Sequence, residues 1–212
     1  MRHLLTACAC MALGAGAADA RPVSYEGGWT TIAQSDRMTT GLLIHYTPRF
    51  DYSIGVKTEW DRTDDLLFNG GQATWLANRW FGEDYQANLY AFAGAGVAQG
   101  FNDNDRGATG AGYAGIMADW ETRRWFVSWM GRVSDMGEGA HAMQSARAGV
   151  APYIAGFGEL HTWLMVEVDH HPEDATPVAV TPLVRFFRGP ALLELGYTPA
   201  VDEALVTFIY RF

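Results

Sequence analysis

The chain has 212 residues and a formal net charge of −9, with 49% hydrophobic, 13% aromatic and 18% charged residues. That apolar content excludes a disordered tail and a zinc-ribbon scaffold. The acidic balance excludes nucleic acid as a partner, because no basic surface is available to replace counterions around phosphates.

Arg2 and His3 make a short basic start, Leu4 to Ala18 are apolar or small, and Ala18-Asp19-Ala20 has the small-x-small form cut by signal peptidase. The expected organisation is a signal peptide over 1–20 and one domain over 21–212. Leu5-Thr6-Ala7-Cys8 also has the form of a lipobox, but it leaves too short an apolar region before the cysteine. Both cysteines, Cys8 and Cys10, fall inside the signal, so the mature chain has no disulfide to stabilise it.

Beyond the signal no apolar run approaches the ~18 residues of a membrane helix, and glycines interrupt almost every helical window. Alternation with a period of two recurs instead. Tyr52, Ile54, Val56, Thr58 and Trp60 oppose Ser53, Gly55, Lys57 and Glu59. Trp125, Val127, Trp129 and Val133 oppose Arg124, Ser128, Met130 and Arg132. Leu160, Leu164, Val166 and Val168 oppose His161, Glu167 and Asp169, while Val178, Val180, Val184 and Phe186 oppose Thr181 and Arg185. The fold class is all-β.

The connections alternate in character. Short turns are expected at Thr47-Pro48-Arg49, Phe81 to Asp84, Glu121-Thr122-Arg123, Ala155 to Gly158 and Arg188-Gly189-Pro190. Longer polar loops are expected at Gln34 to Arg37, Asp61 to Asp65, Gly100 to Thr109, Asp135 to His141, His170 to Pro177 and Pro199 to Glu203. These turns divide the chain into about twelve strands with both termini on the short-turn side, the plan of an antiparallel up-and-down transmembrane β-barrel. A soluble sandwich or lipocalin-like barrel shares the alternation. Aromatics flank every short turn, among them Tyr46, Phe50, Trp80, Phe81, Trp120, Trp125, Tyr153 and Phe157, as in the headgroup layer of a bilayer. Charged residues in strand middles share one face, the reverse of a soluble barrel's apolar interior.

The chain ends Val206-Thr207-Phe208-Ile209-Tyr210-Arg211-Phe212. This ending resembles the C-terminal strand of bacterial outer-membrane β-barrels, in which a terminal Phe and outward aromatics two and four residues earlier act as the assembly signal. Phe208, Tyr210 and Phe212 match; Thr207, where the family often has Gly, and Leu205, where a polar residue is common, depart from it. The resemblance implies the outer membrane of a Gram-negative bacterium, contact with its lipid and lipopolysaccharide, and recognition by the barrel-assembly machinery. Gly149 to Tyr153, His161 to Leu164 and Thr181 to Phe187 also resemble segments of uncharacterised proteobacterial barrels sometimes encoded beside heavy-metal efflux systems, a likeness that implies no chemistry.

Several motifs carry less than they promise. Gly110 to Gly115 satisfies G-x-G-x-x-G, but no βαβ unit surrounds it. Asn102 to Gly107 has the composition of a calcium loop, yet Tyr113 stands where an EF-hand needs Glu. His170, His171, Glu173 and Asp174 are the densest set of potential metal ligands, with Met136, His141 and Met143 on another loop; a divalent ion at these loops is the one cofactor the sequence raises, and no third histidine sits at a defined spacing. The chain has no G-x-S-x-G elbow and no mature cysteine, so no catalytic residue is assigned and an enzyme is not expected; a lipid-modifying activity is the remaining catalytic alternative.

The inward face is more informative. Lys57, Glu59, Asp119, Arg124, Arg132, Arg147, Glu167, Arg185 and Glu194 form a charge ladder, and Arg132, Arg147 and Arg185 are expected to pair with Glu167 and Glu194 on adjacent strands. Such pairs either fill a narrow barrel or form a charged constriction that sorts solutes. The expected function is a narrow channel for small polar solutes or ions. The alternative is a closed barrel with a binding or scaffolding role, with a link to metal efflux as one form of it. The long loops carry many more Asp and Glu residues than Arg, so the outer mouth is expected to be acidic.

Overall fold

The computed structural model describes residues 22–212; the expected signal peptide lies outside them. Twelve antiparallel strands close into one barrel: β1 (Trp29–Ser35), β2 (Thr39–Arg49), β3 (Tyr52–Asp61), β4 (Leu66–Phe81), β5 (Tyr85–Gly100), β6 (Thr109–Thr122), β7 (Trp125–Asp135), β8 (Ala140–Val150), β9 (His161–His170), β10 (Val178–Arg188), β11 (Ala191–Thr198) and β12 (Glu203–Arg211). Each strand pairs with its sequence neighbours, and β1 closes the ring on β12, from Thr30 opposite Arg211 to Ser35 opposite Val206. Trp29 and Phe212 complete the seam by exchanging backbone hydrogen bonds of 2.8 and 3.0 Å.

The period-two pattern sorts side chains between two environments. Ile54, Val56, Trp75, Val127, Leu164, Val180 and Leu195 stand exposed on the outer face, whereas Ser53, His45, Glu167, Arg185 and Glu194 are buried inside. An apolar exterior around a charged interior is unfavourable in water and matched to hydrocarbon, so the fold is a transmembrane β-barrel. Exposed aromatics crowd the short-turn end. Trp29 packs against Tyr46 with ring centroids 5.2 Å apart, and Tyr85 against Trp120 at 6.2 Å.

Inside, aromatic rings lie flat on neighbouring strands where glycine leaves room. A Cβ at Gly94 would stand 2.3 Å from the Tyr113 ring, and one at Gly115 would stand 2.4 Å from Phe92. Gly115, the last glycine of the G-x-G-x-x-G stretch, is thus a packing position within β6 and not part of a nucleotide loop.

Two expected turns differ. Residues 47–49 belong to β2, which passes through an irregularity between Tyr46 and Arg49 and reverses at Phe50 and Asp51. The connection between β8 and β9 covers residues 151–160, not the tight turn expected at Ala155 to Gly158, and is longer than any loop on the opposite rim. It is tied down locally. Ala151 N–H donates to the Arg124 carbonyl, Gly156 N–H donates to Glu159, and the Tyr153 hydroxyl donates to the Leu160 carbonyl at 2.8 Å. Pro152 removes a donor that a continuing ladder needs.

Phe208, Tyr210 and Phe212 all point outward from β12, the last two with ring centroids 6.0 Å apart. Deleting Phe212 removes both an outward ring and a backbone partner of Trp29. The deletion is expected to lower the heat-modifiable, folded barrel in the outer membrane several-fold. Unchanged insertion and gel mobility would contradict this role.

Candidate functional site

The lumen is a cavity of about 490 Å³ that runs from the long-loop rim, at Asp36, Asp61 and Glu138, down to Met117, Asp119, Phe126 and Ile209. Its charged side chains form separate groups at different points of the wall.

The first group spans the lumen. Lys57 and Glu59, successive inward positions of β3, are joined at 2.5 Å, and Glu59 also accepts from Arg132 of β7 at 2.8 Å. Arg132 therefore does not pair with Glu167 or Glu194, as the ladder reading expects. Its register neighbours are Gly115 and Met143, which offer no carboxylate, so the side chain crosses the barrel to β3. Tyr113 supports both cations: Lys57 Nζ lies 4.8 Å and Arg132 Cζ 4.4 Å from its ring centroid. The Tyr113 hydroxyl donates to Gln72 at 2.6 Å.

A second group lies on the opposite wall. Arg147 pairs with Glu167, its register partner on β9, and reaches Glu194 at 3.1 Å; Arg185 donates to Glu194 at 2.7 Å and sits 4.8 Å from the Phe126 ring. Here two arginines meet two carboxylates. Glu194 is buried almost completely, which is tolerable only because both of its cations are within reach. Lower down, Asp119 accepts from Asn88 at 2.6 Å, and Asn88 in turn accepts from Arg79 at 2.7 Å. Arg124 is not part of the lumen: it is exposed in the β6–β7 turn, where its side chain reaches the Pro152 carbonyl. Its even position has inward parity, but the strand begins one residue later.

The short-turn end is packed with apolar side chains that the alternation did not single out. Phe126, Trp163, Met165, Leu183, Phe187, Leu192 and Ile209 make one buried cluster against Ala151. On the other side the segment just before β1 enters the lumen. A reversal at Tyr25 to Gly28, with Gly27 at φ +81°, lets Val23 pack against Leu76 and Tyr90 at 1% exposure. Ser53 donates to the Pro22 carbonyl at 2.9 Å, and Ser24 N–H donates to the Thr47 hydroxyl. Pro22 thereby lines the cavity floor.

At the long-loop rim, Arg37 bridges the mouth to Asp169 at 2.7 Å and to Asp174, its side chain 5% exposed. The four potential metal ligands of this region do not converge. His170 faces outward, beside Gln144 at 3.2 Å, whereas His171 turns into the cavity beside Asp169. Adjacent residues leaving a strand point to opposite faces. Glu173 meets His141, and Asp174 meets Arg37. Among the described residues no group of three or more His, Cys, Asp or Glu side chains is arranged to hold a metal ion. The other rim arginines are also engaged, Arg62 with Glu203 and Arg106 with Glu138. Asp36, Asp61 and Asp135 instead accept backbone N–H groups of their own turns at the mouth.

A solved KdgM porin in complex with disordered oligogalacturonate shares this architecture, with a TM-score of 0.50, 8% identity, and 87% of this chain and 98% of that chain covered. A second KdgM porin structure gives 0.48 at the same identity and coverage. The likeness is one of fold. No protein-family model and no curated protein matches the chain.

Two outcomes are expected from this geometry. Replacing Arg185 by Glu places two carboxylates together where one guanidinium stood, so the folded barrel is expected to lose about 3 kcal/mol or more in urea titrations, because breaking a buried pair strands its partner. The exchange Arg185→Glu with Glu194→Arg should recover part of the loss. A stability change within about 0.5 kcal/mol would contradict the pairing. The second outcome concerns the mouth. Burial, reinforced by the Arg37 charge, holds the His171 imidazole below its ordinary value. Burial pushes the Asp174 carboxyl up, but the hydrogen bond and charge of Arg37 outweigh it and hold the group low. In both cases the unfolded loop binds protons more readily, so acid weakens the folded β9–β10 loop: the His171 contribution is lost as pH falls below ~6.5, and that of Asp174 below ~4. Hydrogen exchange over residues 171–177, corrected for intrinsic rates, should be faster at pH 5 than at pH 7.5. Equal protection would contradict it.

Proposed function

We propose that the barrel is a narrow channel of the outer membrane of a Gram-negative bacterium, passing small polar solutes and ions with a preference for cations. The observation that carries this reading is the charged cavity, which descends from an acidic rim within a closed wall whose outer face is apolar. Twelve strands lie between eight, which side chains fill, and sixteen, which leave a water channel, so a restricted path is the expected geometry. The KdgM porin of similar fold is described with an oligogalacturonate; the rim of Asp36, Asp61, Asp64 and Glu138 here opposes a polyanion of that kind and draws cations. Carboxylates on the outer loops also suit the divalent ions that bridge lipopolysaccharide, and the outward aromatics of β12 suit recognition by the barrel-assembly machinery. The apolar packing around Val23 and Phe126 favours a second reading, a closed barrel that binds its solute without passing it.

Reversal potentials across a planar bilayer in a KCl gradient test the first reading. A modest cation preference is expected at 0.1 M salt, where screening extends over about 10 Å, and should fade toward 1 M, where it extends over about 3 Å. Replacing Asp36, Asp61 and Asp64 by Asn should reduce it. A wild-type preference for anions would overturn the assignment.

A further inference from the structure

The cavity's cations are not evenly matched. Arg37 has two carboxylates, and Arg147 and Arg185 share two. Lys57 and Arg132 share one: Glu59 gives Oε2 to Lys57 and Oε1 to Arg132, so both of its oxygens are committed and the pair has one cation more than the carboxylates in direct contact with it, Asp36 acting on Lys57 from further off. Both side chains are largely buried, at 14% exposure, and Arg132 Nε has no hydrogen-bond partner within the protein. The Tyr113 ring flanks the pair, and all three side chains line the cavity. Two largely desolvated cations with one carboxylate between them make a site for a second anion, and a guanidinium beside an ammonium fits a carboxylate.

The surroundings constrain the rest of the ligand. Asp61 is the next inward position of β3 above Glu59, about 7 Å further toward the mouth, and Asp36 and Asp64 line the same side of the cavity. Asp36 and Asp61 accept from backbone N–H groups, and among the described residues no arginine pairs with them. A solute entering from the rim meets negative charge first and the surplus positive charge below it.

We infer that Lys57, Arg132 and Tyr113 form a carboxylate-binding site in the lumen and that, with the acidic residues above it, the site takes small zwitterions bearing an amine and a carboxylate a few bonds apart. The inference deepens the channel reading by naming its solute class. The site itself stands on the charge count, and only the passage of the solute depends on conduction.

The test uses the detergent-folded barrel and three matched probes, 5-aminopentanoate, pentanoate and pentylamine, with binding followed by calorimetry and current block followed in planar bilayers. 5-Aminopentanoate is expected to bind at least tenfold more tightly than either of the others. Lys57→Gln, which leaves the Glu59–Arg132 bond in place, should weaken its binding at least tenfold. Glu59→Gln raises the surplus charge and should tighten pentanoate, a gain that a purely bracing role for these residues does not produce. Equal binding of the three probes, or unchanged affinities in both variants, overturns the site. Binding without conductance upholds the site and overturns the channel; conductance without binding does the opposite.

Discussion

The structure depends on one constraint, that no backbone N–H or C=O facing lipid is left unpaired. Hydrocarbon offers no hydrogen bonds, so a sheet that crosses a membrane must have no edge. The constraint is met at the seam between β1 and β12, where Thr30 to Ser35 run against Val206 to Arg211 and Trp29 and Phe212 close the last rung. Everything else follows from closure. The outer face becomes apolar, the inner face is enclosed, and charged groups inside must find partners among themselves.

The enclosed charges divide the lumen. Arg147, Arg185, Glu167 and Glu194 neutralise one another along one wall, which rigidifies β8 to β11, while Arg132 ties β7 to β3 across the barrel. Below them, apolar side chains and the tucked Pro22 and Val23 narrow the path toward the short-turn end. The wide, acidic mouth and the packed opposite end make the barrel strongly asymmetric along its axis. On the proposed channel reading, a solute would meet charge selection first and steric restriction second.

Much of this was legible in the sequence because lipid and lumen act as two different solvents on alternate residues. The facings of Val56 and Lys57, or of Val184 and Arg185, follow from that alone, and so does the strand count once the turns are placed. The separation of His170 from His171 was also legible in principle, since neighbours at a strand end point apart. Other features were not. Ala151-Pro152-Tyr153-Ile154 reads as apolar strand, and only the tertiary hydrogen bonds to Arg124 and within the loop show it as a connection. The Arg132–Glu59 bond joins residues 73 apart in the chain. It depends on where the closed ring brings β3 and β7, which no local pattern contains. Pro22 and Val23 precede the first strand and carry no periodicity, so their place in the lumen comes from the reversal at Gly27 and the Thr47 contacts.

Single-channel recording is the most direct test of the central claim, that a closed barrel holds a narrow charged path restricted at its short-turn end. The refolded chain comprising residues 21–212 should give discrete current steps, smaller than those of a sixteen-stranded pore, and a chain beginning at Tyr25 should give larger ones. A flat trace from both chains, with the barrel folded and inserted, would contradict it.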